Sequence, residues 1–454
     1  MHHSLSLIYA RIQKNTNLIA NHILVIIAFF LPINVGAVKS GFFILIILLL
    51  FKKDLWKVFK ETLSNPVIIS FLLIWLLHKI GILYSFDPIG SAKYASEMIF
   101  FLYPILILIF AEHRYVYRIF TGFILGVFLS ELLSYSFFFE LLTSPIPEKF
   151  GGFALASKNE PSPFTYHIEY GFILAITSAL LLQRFIISAH RSEKLALILF
   201  FTTISLNVFL NSARTGYIIF FIANLAVLIS IYKTQFIKRF LFLLPIGLFV
   251  IFIAWNFSTN LKREFYETTD SLQRLFMHND MSSSIGNRVS MATTGFTALK
   301  DHYWIGFGTG TQGHVVYDEA VKENNTQLIQ WMPEPHFYMG YKMHLDCNYV
   351  DVLIQFGIIG LFIFLNLFVQ MARFHNQDSS LNYIRSAVLW SGLFYASISS
   401  LLFGFLLPVL YVVLTTFTLV QPNSSLPSLP KETFRHISLY ALLAIGLFFI
   451  SKVT

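Results

Sequence analysis

The chain has a single cysteine, Cys347, in 454 residues, and only 12% of its residues are charged. One cysteine forms no internal bridge, which excludes the disulfide-stapled secreted class. Soluble domains carry roughly 25% Asp, Glu, Lys and Arg, so this chain lacks the polar groups to cover a water-facing surface. Disorder is excluded from the opposite side, because 56% of the residues are hydrophobic and 17% aromatic, with a mean hydropathy of +0.67. The formal charge of +8 and pI of 9.3 do not point to nucleic acid, since 32 Lys and Arg spread thinly through apolar runs form no basic stripe. What is present in quantity is apolar sequence, and its natural solvent is a bilayer.

Apolar stretches long enough for a hydrocarbon layer of roughly 30 Å recur from end to end. Candidate spans run 17–33, 36–51, 67–84, 97–112, 117–139, 166–185, 194–210, 215–232, 237–256, 349–372, 385–402, 403–421 and 435–452. The expected fold is therefore an all-α polytopic membrane protein of 12–13 transmembrane helices, with one large outward-facing loop containing short amphipathic helices. Nine helices fall in 1–256, the loop occupies 257–347, and three to four C-terminal segments fill 348–454. Residues 385–421 read either as a tight helical hairpin, giving thirteen crossings, or as one crossing plus a bent segment near Pro408, giving twelve. Arg11 and Lys14 precede the first apolar run, no small-residue cleavage site follows it, and a second span begins at once, so the N-terminal segment is expected to stay attached.

Orientation follows from the distribution of Lys and Arg, which collect in short cytoplasmic loops. Lys52, Lys53, Lys57 and Lys60 follow the second span, Arg114 and Arg118 the fourth, Arg184, Arg191 and Lys194 the sixth, and Lys233, Lys238 and Arg239 the eighth. Odd-numbered junctions are nearly free of such clusters. A cytoplasmic N-terminus and outward odd loops are expected. The large loop, with seven Lys and Arg against ten Asp and Glu, carries −3 and leaves +11 to the remainder.

Against that pattern a few residues stand out. Arg214, in Asn211-Ser-Ala-Arg214-Thr-Gly216, lies in a tight outward turn where positive charge is disfavoured. Its planar fork of donors suits phosphate oxygens, and the helix that follows would present free N–H groups beside it; an interfacial arginine snorkelling to headgroups is the alternative. Arg288 precedes apolar residues Val289, Met291, Ala292, Phe296 and Leu299, whose spacing suits a short amphipathic helix on the membrane surface with Arg288 in its first turn. Gly306-Phe-Gly308-Thr-Gly310 lacks the strand and helix that frame a nucleotide loop, and reads as a compact turn shaped for close backbone approach. Five of the 14 histidines fall in the large loop, at spacings that match no zinc template, so no metal is expected. Among them His344, just before the tenth span and expected level with Arg214, is placed to act as a general base, with an ordinary loop histidine as the alternative.

Taken together, Ser212-Ala-Arg214-Thr-Gly216, Asn287-Arg288, Gly306-Phe-Gly308 and a histidine segment running into Leu353-Ile-Gln-Phe-Gly357-Ile-Ile-Gly360 resemble the Wzy_C superfamily over about 190–360. These are membrane glycosyltransferases that include O-antigen ligases, O-antigen polymerases and pilin-type oligosaccharyltransferases. The resemblance implies a multi-pass protein of the bacterial inner membrane with its active face in the periplasm. It implies that Arg214 and Arg288 bind the diphosphate of an undecaprenyl-diphosphate-linked glycan, and that His344 is the base on the acceptor hydroxyl. The transfer would be inverting, without metal or other cofactor. The family's His-Asn pair sits where this chain has Asp346, so Asp346 and His336 remain open as alternatives for the base.

The acceptor separates the candidate functions. A ligase delivers the glycan to lipid A-core, and a polymerase delivers it to another lipid-linked repeat unit. About twelve spans and one dominant outer loop resemble the ligases, whereas polymerases often divide their external mass between two loops. A transporter or flippase would place polar groups within the spans. Glu131, Glu169 and His78 are the main such exceptions here, and the distinctive residues gather at one face.

Overall fold

The computed structural model describes residues 2–147, 152–332, 344–402 and 406–422. Among them the regular structure is all helical, with no strand. The helices are α1 (His2–Phe30), α2 (Val35–Leu49), α3 (Leu55–Leu63), α4 (Pro66–Ile80), α5 (Pro88–Glu97), α6 (Tyr103–Phe110), α7 (His113–Phe138), α8 (His167–Ile187) and α9 (Arg191–Leu210). They continue as α10 (Arg214–Tyr232), α11 (Phe236–Phe257), α12 (Thr259–His278), α13 (Ser284–Ala298), α14 (Gln312–Lys322), α15 (Thr326–Trp331), α16 (Asn348–Arg373), α17 (Ser379–Ile398) and α18 (Leu407–Phe417).

Each of the first twelve candidate spans falls on a helix, but they are not equally long. Six described helical stretches are long and apolar enough to cross a membrane: Pro88–Phe110, His113–Phe138, His167–Ile187, Arg191–Leu210, Arg214–Leu241 and Asn348–Arg373. A seventh is added if α3 and α4, bent by 85° at Ser64 and Asn65, form one broken span. This is fewer than the expected 12–13, because several apolar helices are short. The 15 residues of α2 reach only about 22 Å at 1.5 Å per residue, and the 11 of α18, Leu407–Phe417, are fewer still. The candidate span 435–452 lies outside the described residues. The end of α18 returns to the start of α17, where Asn376 Nδ2 donates to the carbonyls of Thr418 and Val420 at 3.0 and 2.9 Å. Helices α17 and α18 thus run as the two arms of a hairpin, and Ser399–Leu402 after α17 is irregular.

Phe, Ile, Leu and Val side chains from α1 to α11 and α16 to α18 form one continuous core. The large loop has a small core of its own, in which Met291, Val316, Leu328, Leu345 and Ile354 are buried together. Here α13 packs against α14, α15 and the first turns of α16, and its buried Met291 faces that core. The expected helix exists, but Met291 and Leu299 are buried against protein while Phe296 is exposed, so its apolar residues do not form one membrane-facing side.

One junction holds the loop to the bundle. Within α16 the backbone leaves helical geometry at Gly357, which has φ 62°. A regular helix would pair the N–H groups of Ile358 and Ile359 with the carbonyls of Ile354 and Gln355. Instead Ile358 and Ile359 donate to Tyr303 and Trp304 at 2.8 and 3.3 Å, while Ile354 and Gln355 accept from Phe307 and Gly308 at 2.9 and 2.8 Å. The loop 303–308 is spliced into the break. Thr309 extends the join to α4, donating from N–H to Gly81 and from its hydroxyl to the carbonyl of His78. The glycine-rich turn is therefore a backbone-to-backbone seam, which agrees with close approach and leaves no cradle for phosphate.

Candidate functional site

The site sits where α8, α10 and α12 begin. Helices α8 and α10 cross at Gly171 and Gly216, each so close to the other that a Cβ on Gly216 would lie 2.8 Å from the Gly171 Cα. That small-residue crossing brings Arg214, the first residue of α10, beside the first turn of α8. No side chain caps the start of α10, so the guanidinium shares its place with unsatisfied backbone N–H groups, a setting that favours anions.

Arg214 lines a cavity of about 330 Å³ together with Arg263, Arg288, His167, Glu160 and Glu264. The two arginines singled out in the sequence are thus brought to one cavity. Each already holds carboxylates. Arg214 Nε donates to Glu264 at 2.5 Å and Nη2 to Glu267 at 2.8 Å, while Arg288 Nε donates to Asp346 at 3.1 Å. Arg263 shares Glu264 at 3.3 Å and Glu267 at 3.8 Å. Arg288 is the fifth residue of α13, which begins at Ser284 and is capped by Ser283. It therefore occupies the second turn, not the first, because the helix begins earlier than expected, capped at Ser283.

His344 does not line this cavity. It opens, with Asp346, onto an adjoining one of about 510 Å³ walled by Tyr94, Phe153, Phe164, Tyr166 and Tyr395, with Glu97, Glu169, Thr165, Ser399 and Ser400 among the polar groups. Ile168 lines both cavities, and the Arg288–Asp346 ion pair links them. Protein packed around the His344 ring lowers its pKa to about 4, so the imidazole is neutral at pH 7. The backbone on either side is set by two features. Leu345 N–H donates to the buried Asp351 carboxylate at 3.1 Å, and Asp346 adopts φ 53°, the left-handed turn that Asp tolerates better than most residues. Burial also raises the Cys347 thiol. His336, the remaining alternative for the base, lies outside the described residues.

Residues 157–168, which lead into the start of the sixth candidate span, contribute to both cavities and, unlike Glu169 beside them, are not among the residues that stand out in the sequence. His167 Nδ1 lies 2.6 Å from Glu160 Oε1, and Glu169 accepts from the Thr165 hydroxyl. The one available signal is the polar run Ser157-Lys-Asn-Glu160 followed by a histidine beside a span. Of the intramembrane exceptions, Glu169 lines the second cavity, whereas Glu131 and His78 are buried and line neither.

Residues 197–365 match the Wzy_C family model, described as O-Antigen ligase. The matched stretch runs from α9 into α16, so it contains Arg214, Arg288, His344 and Asp346 and agrees with the resemblance read from the sequence. No curated protein matches the chain.

Proposed function

We propose that this chain is an O-antigen ligase, transferring a glycan from undecaprenyl diphosphate to a sugar hydroxyl of lipid A-core at the periplasmic face of the bacterial inner membrane. The family match supports a ligase- or polymerase-like role in O-antigen assembly and hence a glycosyl-transfer enzyme. The observation that carries the finer reading is the cavity shared by Arg214 and Arg288, beside an aromatic and hydroxyl-lined cavity holding His344. Fork-shaped cations at an uncapped helix start suit a diphosphate. Aromatic walls with scattered hydroxyls and carboxylates suit sugars.

In this reading the acceptor hydroxyl attacks the anomeric carbon as the bond from that carbon to the diphosphate oxygen breaks. His344 takes the hydroxyl proton, and the electron pair leaves with the diphosphate, where the arginines meet the growing charge. Glu264, Glu267 and Asp346 hold the forks in place, and the donor's phosphates take over these positions on binding. A bound diphosphate next door also favours the protonated form of His344, making the ring a better base when donor is present. Undecaprenyl diphosphate supplies the activated bond, so no nucleotide is required.

The test is a deletion strain examined by lipopolysaccharide gel and complemented with wild type or Arg214→Ala. The reading expects bare core in the deletion, with glycan accumulating on undecaprenyl diphosphate, and no rescue by a normally expressed Arg214→Ala protein. An unchanged ladder, or full rescue by Arg214→Ala, overturns it. Core bearing a single repeat unit would instead identify a polymerase. One observation favours that second reading: residues 157–169 and the large loop share both cavities, which divides the external mass between two segments.

A further inference from the structure

Resting on the reading of the arginine-lined cavity as a diphosphate site, we propose that His167, set by Glu160, is a further ligand of the phosphate oxygens. His167 is the first residue of α8 and lines that cavity beside Arg214 and Arg288. Glu160 engages Nδ1 at 2.6 Å. A carboxylate on one ring nitrogen fixes the ring's orientation and tautomer, and the other nitrogen, Nε2, is then the one presented to a ligand.

The dyad is held in register with Arg214 by two asparagines. Asn211, three residues before Arg214, donates from Nδ2 to the His167 carbonyl at 2.9 Å and accepts from Ser162 at 3.3 Å. Asn260, in the first turn of α12 that also carries Glu264, donates to the Asn159 carbonyl at 3.0 Å. The same short segments that place the arginine fork therefore place the imidazole. The arginines of the cavity are engaged by Glu264, Glu267 and Asp346, and the dyad's carboxylate engages only one edge of the ring. An imidazolium bridging Glu160 and a phosphate oxygen would satisfy both of its N–H groups.

The experiment measures binding of farnesyl diphosphate to the purified full chain in detergent by calorimetry, with melting temperature as the folding control. His167→Phe keeps a ring against Tyr166, whose centroid lies 4.4 Å away, and removes both nitrogens. It is expected to bind about tenfold more weakly at an unchanged melting temperature. Glu160→Ala should weaken binding by about fivefold, and Glu160→Gln, which still accepts from Nδ1, should recover to within about twofold of wild type. Wild-type affinity in His167→Phe and Glu160→Ala, with binding lost in Arg214→Ala, would make the dyad a loop staple and overturn the inference alone. Absence of binding in the wild type, or wild-type affinity in Arg214→Ala, would overturn the diphosphate site and the inference with it. Should His167→Phe melt lower, the Glu160 pair decides, since a staple predicts no recovery of affinity by Gln beyond the recovery of stability.

Discussion

His344 and Asp346 stand two residues apart and meet opposite surroundings, one ring packed in protein and one carboxylate tied to Arg288. The difference is measurable through stability. Burial lowers the folded pKa of His344 to about 4, below its unfolded value of about 6.5. The unfolded chain therefore binds the extra proton between those values, so the His344 contribution is fully present above about pH 6.5 and is lost as pH falls toward 4. Between pH 7.5 and pH 5 this loss amounts to about 2 kcal/mol. The melting temperature of wild type relative to His344→Gln in detergent should fall between pH 7.5 and pH 5 by an amount matching that loss, and parallel curves would contradict the burial argument. The same variant tests the base. His344→Gln should lower transfer by at least about a hundredfold, whereas near-full activity there with loss in Asp346→Asn would move the role to Asp346.

At the scale of elements, the break in α16 is the most constrained feature. A Cβ on Gly357 would sit 2.3 Å from the Trp304 carbonyl carbon, at a backbone φ of 62° that side chains rarely adopt. Gly357→Ala should therefore destabilise the protein by about 2 kcal/mol or more and loosen the seam to loop 303–308. Gly247 in α11 offers the contrast, with nothing within 4 Å of an added Cβ, and Gly247→Ala should be neutral or stabilise by up to about 1 kcal/mol. Thermal melts of both variants check the pair, and equal effects would sink the argument. Because the small loop core continues into the first turns of α16, loosening this seam should also lower transfer in Gly357→Ala.

For the whole molecule, the separation of charge makes a topological prediction. With Cys347 replaced by Ser, single cysteines introduced at Lys53 and at Met277 test the two sides. Lys53 lies in the basic junction after α2 and Met277 in the last turn of α12, and both side chains are exposed. Membrane-impermeant maleimide added to cells with a permeabilised outer membrane should label Met277→Cys and leave Lys53→Cys unmodified until the inner membrane is broken. The reverse pattern would invert the expected orientation and remove the site from the periplasmic face.

Much of this protein is legible in its sequence because the responsible forces are local. Hydropathy over some twenty residues and the need to pair every backbone N–H in lipid dictate helices, and the helices fall where apolar runs predict them. Arg214 is conspicuous as a positive charge in an outward turn, and the glycine turn as a place of close backbone approach. The depth at which helices end is not legible, since the break at Gly357 depends on carbonyls more than forty residues away in 303–308. Nor is the partnership of Arg214 with Glu264 and Glu267, or of Arg288 with Asp346. The dyad of Glu160 and His167 joins the arginines only because Gly171 and Gly216 let two helices touch. Sequence determines which groups are available and which stretches turn helical; the crossing of those helices decides which charges share a cavity, because pairing energies act through distances that only the packed chain sets.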